Sequence, residues 1–517
     1  MSEPALRKRR ESPYLVILQA AVLIIAATVP FLVDHGYGAF APEVLSFTSL
    51  LILAALPLLL LATRVVAVRR VLFAVLACWL LDLYFIRSDL LALATLASLI
   101  GLSFTRAEGS LRSVATVFAI CFLAFAILSP AKPAFEPSLG MSAPKADRSS
   151  TDLPVVLHLI LDEQGTPITA RGISGPGEPE QWADRMMHEY TERGFAAHTW
   201  VRAIAGSTEQ SLGKVFADAK LVTEDEFSNW EPVDGSFSFR LKHNAEVDRL
   251  LDRRFKVTVV QSSYLELCLD RRAECHTYPR DIHGGSMSRF DGALSDRVWL
   301  IAMLFHTEQS THDSLWNVSL YRPLADPIAR LAGLPYKRQF WTRPATVLHV
   351  LDELEQRVPS MQSGEAYLVH LLGPHFPYVL DAQCQLKPRS TWLAPAWVAQ
   401  ETRVEFGDVE KAYAQQSECI HRRVLALLDA MDRHIGQANS IIVVHGDHGS
   451  RLQRKLSRPT LAQRNSGRPD GSLDTVLFFR APETTPAINE ERSELATLVR
   501  TTLEGSLSRA GLQASAH

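Results

Sequence analysis

Residues 443–451 read "VVHGDHGSR", an acid and a histidine set between glycines where the apolar run "SIIVV" stops. Asp447 and His448 offer a carboxylate oxygen and an imidazole nitrogen side by side. Mixed donors of that kind suit zinc or manganese acting as a Lewis acid. Glycine on either side lets the backbone turn sharply and leaves room for ligand groups. Taken alone, the stretch equally fits a polar loop after a buried strand, so a metal reading needs donors from elsewhere. Two other apolar runs supply them: "PVVLHLILDEQG" ends in Asp162 and Glu163, and "EAYLVHLLGPH" ends in His375. A nucleophile is available in "AIAGSTEQSLGKVF", where Thr208 follows a Gly-Ser turn and precedes a helix-like stretch. A hydroxyl at a helix N-terminus meets a phosphate well, because free N–H groups and the dipole favour anions there. Metal coordination lowers the pKa of such a hydroxyl enough for it to attack. The competing role for Ser207 or Thr208 is to cap the helix.

Elements must bring these residues together. Short continuous apolar runs recur at "KVTVVQS" and "DTVLFFRAP" as well as at the three already quoted. Runs of this kind, buried on both faces, suit parallel strands. Helical patterns over 345–357 and 409–433 lie between them, and strands alternating with helices predict an α/β sandwich with a largely parallel sheet. In open α/β sheets ligands bind beyond the carboxyl ends of the strands, where Asp162-Glu163, His375 and Asp447-His448 all fall. His158 and His370 sit inside apolar runs and read as packed strand residues.

The order "LILDE", "GSTEQS", "GPHFPY", "GDHG" resembles the alkaline phosphatase and sulfatase superfamily, and within it the membrane phosphoethanolamine transferases and lipoteichoic acid synthases. The resemblance implies five membrane helices followed by an external catalytic domain of the alkaline phosphatase/sulfatase type. It implies Asp162 as a metal ligand, with Glu163 the alternative or a second ligand, and Asp447 and His448 as the metal pair. Thr208 matches the nucleophilic threonine, itself at the metal, with Ser211 three residues on. His375 matches the histidine of the transferases' "GSHGP" and falls to the substrate phosphate. The chain departs from the pattern in two ways: no cysteine lies near Thr208 for conversion to formylglycine, and the transferases' further histidine is missing before the terminal His517. Arg451 or His445 then supplies that positive charge. The function implied is transfer of phosphoethanolamine or phosphoglycerol from a membrane phospholipid to a glycan or lipid acceptor of the cell envelope, with zinc or manganese as cofactor. The alternative is a hydrolase, sulfatase-like or acting on phosphoesters, with water as acceptor at the same site.

The 517 residues carry a formal charge of -3 and no nucleic-acid-binding motif, so nucleic acid is not an expected partner. Apolar residues crowd the first 130, in stretches at 13–33, 44–63, 71–86, 89–104 and 114–129. A bilayer is spanned by about 20 apolar residues as helix, with ~17 the lower limit, so five crossings are expected, the third and fourth being short. Asp82 within the third is a membrane acid of the kind that is often functional. Arg7–Arg10, the arginines 64, 69 and 70, and Arg106 with Arg112 fall on one side if the N-terminus is cytoplasmic. The organisation expected is a transmembrane domain over 1–130, a Pro- and Ser-rich linker over 131–152, and a periplasmic catalytic domain over 153–517 held at the inner membrane. Cys78 and Cys121 lie in apolar segments as small core residues. The other four cysteines, an even number in an oxidising compartment, suggest disulfides: Cys268 with Cys275 across "CLDRRAEC", and Cys384 with Cys419. A zinc knuckle would prefer the CxxC spacing, which is missing.

Overall fold

The computed structural model describes residues 12–84, 89–105, 108–128, 136–137, 153–166, 178–217, 230–232, 239–278, 293–311, 343–388, 391–392, 406–450, 452 and 471–509. The chain divides into two compact units.

The first unit is helical: α1 (Pro13–Asp34), α2 (Pro42–Arg64), α3 (Val66–Tyr84), α4 (Asp89–Ser103) and α5 (Glu108–Leu128). Helices therefore occupy all five apolar stretches, but five crossings do not follow. Among the described residues only α1 and α2 are long and apolar enough to cross a membrane. The physical reasons are local. At 1.5 Å per residue, the 15 residues of α4 reach about 22 Å, short of the roughly 30 Å hydrocarbon core. α3 carries Arg69, Arg70 and Asp82 within its 19 residues, and the apolar part of α5 is 109–125. The Asp82 side chain lies outside the described residues. Val16, Ala20, Leu23, Leu59, Leu76 and Ala119 pack where α1 is enclosed by α2, α3 and α5. Cys78 is buried, whereas Cys121 is exposed on α5 rather than packed.

The second unit holds the sheet. Its strands are β1 (Glu136–Pro137), β2 (Val155–Leu161), β3 (Ala196–Arg202), β4 (Trp230–Pro232), β5 (Phe239–Leu241), β6 (Lys256–Ser262), β7 (Leu265–Glu266), β8 (Glu274–Tyr278), β9 (Glu365–Leu371), β10 (Ser440–Gly446), β11 (Asp474–Arg480), β12 (Ala487–Asn489) and β13 (Ser493–Glu494). Helices α6 (Glu178–Glu192), α7 (Thr208–Val215) and α8 (Ala245–Asp252) come between them. α9 (Leu294–Thr311) follows and groups with the first unit, Phe305 lying 5.1 Å from the Phe31 ring and 5.6 Å from that of Phe47. α10 (Arg343–Arg357), α11 (Phe406–His434) and α12 (Leu495–Arg509) complete the unit. Apart from β1, the expected linker lies outside the described residues.

The main sheet runs β1-β8-β6-β9-β2-β10-β11-β3-β12, with β13 also on β3. β8, β6, β9, β2 and β10 are mutually parallel, and β11 is antiparallel to both its neighbours. This is the mixed, mostly parallel sheet of an α/β sandwich. Every residue of β2, β9, β10 and β11 is buried, which is why these strands read as unbroken apolar runs rather than as alternation. Successive side chains serve opposite layers. Leu157, Leu159, Leu161, Tyr367, Val369, Ile442 and Val444 pack against α6, α10 and α11. Val156, Ile160, Leu368, Ile441 and Val443 pack on the other face against α7, α8 and α12.

Candidate active site

β2 and β10 lie side by side and parallel, with Gly446 level with Leu161. The next residue on each strand is an aspartate, so the register alone brings Asp162 and Asp447 together at the carboxyl edge. The pairing continues one step past the strands: the Asp447 amide donates to Leu161 O and the Asp162 amide to Leu371 O. Glycine is required on both sides of the Asp-His pair. A Cβ on Gly446 would stand 2.1 Å from Thr475 Oγ1 and 2.6 Å from Gln164 O. One on Gly449 would stand 2.1 Å from Gly471 O. Close approach of neighbouring chain, more than a sharp turn, accounts for the glycines.

Thr208 is the first residue of α7, and Ser207 stands at its N-cap with no side-chain cap hydrogen bond. Neither hydroxyl caps the helix by the pattern the sequence allowed. Thr208 Oγ1 instead donates to Asp162 Oδ1 at 3.2 Å and lies 3.5 Å from His448 Nε2. Ser211, one turn on, donates to the Asp447 carbonyl and pins α7 against the end of β10.

His448 Nδ1 lies 2.7 Å from Gly449 O. A carbonyl can only accept, so Nδ1 carries the proton and the Nε2 lone pair points into the site. Nε2 faces Asp162 Oδ1 at 3.7 Å and Asp447 Oδ2 at 3.5 Å. A lone pair turned onto two buried carboxylates is repulsive, and buried carboxylates are costly, unless a cation lies among them. Asp162, Asp447 and His448 form a fully buried group whose donor atoms lie within 4.8 Å of one another. Tetrahedral ligands about 2.1 Å from zinc stand about 3.4 Å apart. Thr208 Oγ1 to Asp162 Oδ1 and to His448 Nε2, and His448 Nε2 to Asp162 Oδ1 and to Asp447 Oδ2, span 3.2 to 3.7 Å. The donor set fits a divalent ion.

Glu163 takes a different place. Its backbone is left-handed (φ 65), its amide donates to Asp447 Oδ1, and its carboxylate turns towards His375. Oε2 accepts from the Phe376 amide at 3.3 Å, and Oε1 lies 3.8 Å from His375 Nε2. The two adjacent acids thus face two histidines, Asp162 to His448 and Glu163 to His375. Tyr413 on α11 donates to Glu163 O and accepts from the Gly165 amide, and Thr475 donates to Gln164 O. Nothing in the sequence motifs marked these two as supports. A tyrosine on the buried face of a helical pattern was the available signal.

His445, expected at the substrate, is turned into a separate buried cluster. Its Nδ1 lies 2.9 Å from Gly446 O and its Nε2 2.8 Å from His158 Nε2, whose Nδ1 lies 2.6 Å from Glu246 Oε1. His445 stands two residues short of Asp447 along β10, on the face of Val443, among the residues that pack on α7 and α8. Burial pushes its pKa down to about 3, so it is neutral and accepts from His158. His370 is buried within β9. Arg451 lies outside the described residues. Both disulfides form, Cys268–Cys275 with Cα atoms 6.0 Å apart and Cys384–Cys419 at 5.0 Å.

No protein-family model matches the chain, and no curated protein does. Among solved structures the chain is similar to the C-terminal periplasmic domain of EcEptC from Escherichia coli in complex with Zn, at 13% identity over 72% of this chain and 84% of that one, TM-score 0.38. It is similar to the phosphonate monoester hydrolase of Agrobacterium radiobacter at 12% identity over 69% and 74%, TM-score 0.40. It is also similar to the soluble domain of lipooligosaccharide phosphoethanolamine transferase A from Neisseria meningitidis at 14% identity over 69% and 89%, TM-score 0.35.

Proposed function

We propose that this chain is a membrane-anchored, metal-dependent transferase that moves a phospho-alcohol group, phosphoethanolamine or phosphoglycerol, from a phospholipid to a hydroxyl of an envelope glycan or lipid. One observation carries the reading: a threonine hydroxyl at a helix N-terminus, bonded to Asp162 and facing His448, completes a buried donor set with Asp447. Asp162, Asp447 and His448 would hold a divalent ion, zinc first and manganese as the alternative, which would supply Lewis-acid polarisation of a phosphoryl oxygen and a lowered pKa for the threonine hydroxyl.

The chain's own groups do the rest. Thr208 Oγ1 gives up its proton and forms a bond to phosphorus as the bond from phosphorus to the diacylglycerol oxygen breaks. That oxygen leaves with a proton. The acceptor hydroxyl then attacks the same phosphorus as the bond from phosphorus to Thr208 Oγ1 breaks, and the acceptor's proton passes to Thr208. The free amides at the start of α7 favour the anionic group throughout, and His375 stands beside Glu163 to meet the donor phosphate.

Anchoring suits a donor that lives in the bilayer. It is supported by α1 and α2, and by Leu50, Leu53, Val114, Val117 and Phe125 presented on the outside of the helical unit. The two disulfides support placement of the catalytic unit in an oxidising compartment. The test is turnover of a fluorescent phospholipid by the purified chain. Diacylglycerol release that stops with a chelator, and a phospho-alcohol adduct on Thr208 when acceptor is withheld, are expected. Continuous release of free phospho-alcohol without acceptor would make the enzyme a hydrolase, and no release with any phospholipid would overturn the reading.

A further inference from the structure

The loop that follows β9 bears His375 and carries little regular structure of its own, yet it is buried from Leu372 to Leu380. Its backbone polar groups must therefore be satisfied by something outside it. One side chain satisfies four of them. Gln416, fully buried on α11, accepts at Oε1 from the amides of Val379 (2.9 Å) and Leu380 (3.2 Å). Its Nε2 donates to the carbonyls of Pro374 (3.1 Å) and His375 (2.9 Å). Two donors and two acceptors exhaust what a primary amide offers to this loop. A glutamine in the middle of the buried face of a helix is otherwise expensive, and an apolar residue there would leave these four backbone groups without this partner.

The same helix face reaches the other half of the site. Tyr413, one turn earlier, holds Glu163 O and the Gly165 amide. Cys419, one turn later, is bonded to Cys384 beyond the loop. The His375 backbone is thus fixed by Gln416, while the Glu163 carboxylate that faces its ring is fixed through Tyr413.

We infer that Gln416 is a positioning residue that sets the His375 loop against the nucleophile, and so acts on donor binding through His375 without touching substrate or metal. The inference rests on the transferase reading for its kinetic consequence, and on the hydrogen bonds alone for its structural one.

The test uses the purified full chain loaded with zinc. Gln416→Ala is expected to raise the donor KM about tenfold with kcat within about threefold, because a small displacement of a binding group is costly. Zinc stoichiometry should stay unchanged. In a His375→Ala background the same substitution should change KM by less than about twofold, since a residue acting through His375 has nothing left to position. Gln416→Glu keeps both acceptor bonds, loses the donated pair and should fall between wild type and Gln416→Ala. It also serves if the alanine variant fails to fold. Amide exchange reads the inference without substrate: the 374–380 segment should exchange about tenfold faster in Gln416→Ala and by a smaller factor in Gln416→Glu, with β10 unchanged. Additive KM effects in the double variant, or exchange equal to wild type, would overturn the assignment. A wild-type chain that turns over no phospholipid while exchange behaves as stated would overturn the transferase reading and leave the positioning role in place.

Discussion

Two aspartates look alike in the sequence and do different work. Asp447 Oδ1 accepts the Glu163 and His448 amides, while Oδ2 is the oxygen turned to the histidine ring. Removing the whole side chain would strand two buried amides at about 1–3 kcal/mol each, so Asp447→Ala confounds folding with metal loss. Asp447→Asn keeps an acceptor for both amides and removes the charge. It is expected to stay folded and to bind zinc at least about a hundredfold more weakly, since even outer groups of a metal site cost 10–100-fold. Calorimetric titration with zinc checks this, and wild-type affinity would remove Asp447 from the metal site. Thr208 separates capping from catalysis just as cleanly. With no cap bond to lose, Thr208→Ala should cost less than about 2 kcal/mol yet reduce turnover by about a thousandfold or more. Thr208→Ser should retain part of the activity. A Thr208→Ala enzyme that turns over lipid at the wild-type rate would end the nucleophile assignment.

At the scale of elements, the site is a product of register and of one helix. Parallel pairing of β2 with β10 delivers the two aspartates, α7 delivers Thr208, and α11 braces the loops after β2 and β9. His421 belongs to that bracing: it is fully buried, with Nε2 2.9 Å from Gln164 Oε1 and Nδ1 3.0 Å from the Tyr190 hydroxyl. Burial pushes its pKa down to about 3. The sign of the consequence follows. Between about pH 6.5 and 3 the unfolded chain binds a proton at this residue that the folded chain does not, so stability falls on acidification through that window and is insensitive to this group above it. His445 acts in the same direction. Thermal unfolding measured from pH 7.5 down to 4 should show the decline, and His421→Gln should make it shallower. A profile unchanged by that substitution would mean that His421 is not held neutral.

For the whole molecule, the disulfides speak most directly to where the second unit resides. In the chain-entropy account, the bond between Cys384 and Cys419, closing 35 residues, is worth about 4 kcal/mol, and that between Cys268 and Cys275, closing 7, about 2.5 kcal/mol. Reduction should therefore lower the unfolding midpoint, and Cys384→Ser should reproduce more of the loss than Cys268→Ser. Equal losses would show that loop length does not govern the effect. A reporter that works only in an extracytoplasmic space, fused after Asp152, should be active. An inactive fusion would place the unit where such bonds do not persist.

The sequence by itself determined the local things: which apolar runs are strands, because burial on both faces leaves no polar alternation, and which residues end them. It also carried both cysteine pairings, through even number and spacing, and the residue types of a metal donor set. Tertiary structure decided what depends on direction and on partners distant in the chain. Only the register of β2 and β10 shows that Asp162 faces His448 while Glu163 faces His375, since two adjacent acids are indistinguishable until the backbone between them turns left-handed. Only the fold likewise brings His158 and Glu246, far off in the chain, into one cluster with His445, partners that a run of apolar neighbours does not reveal. The membrane segments failed for a related reason. Composition marked five helices, but spanning a bilayer depends on length along the axis and on where the charges fall, and among the described helices only α1 and α2 meet both conditions. The supports on α11 were the least legible, because a buried glutamine or tyrosine announces itself only when the loop it satisfies is seen against it.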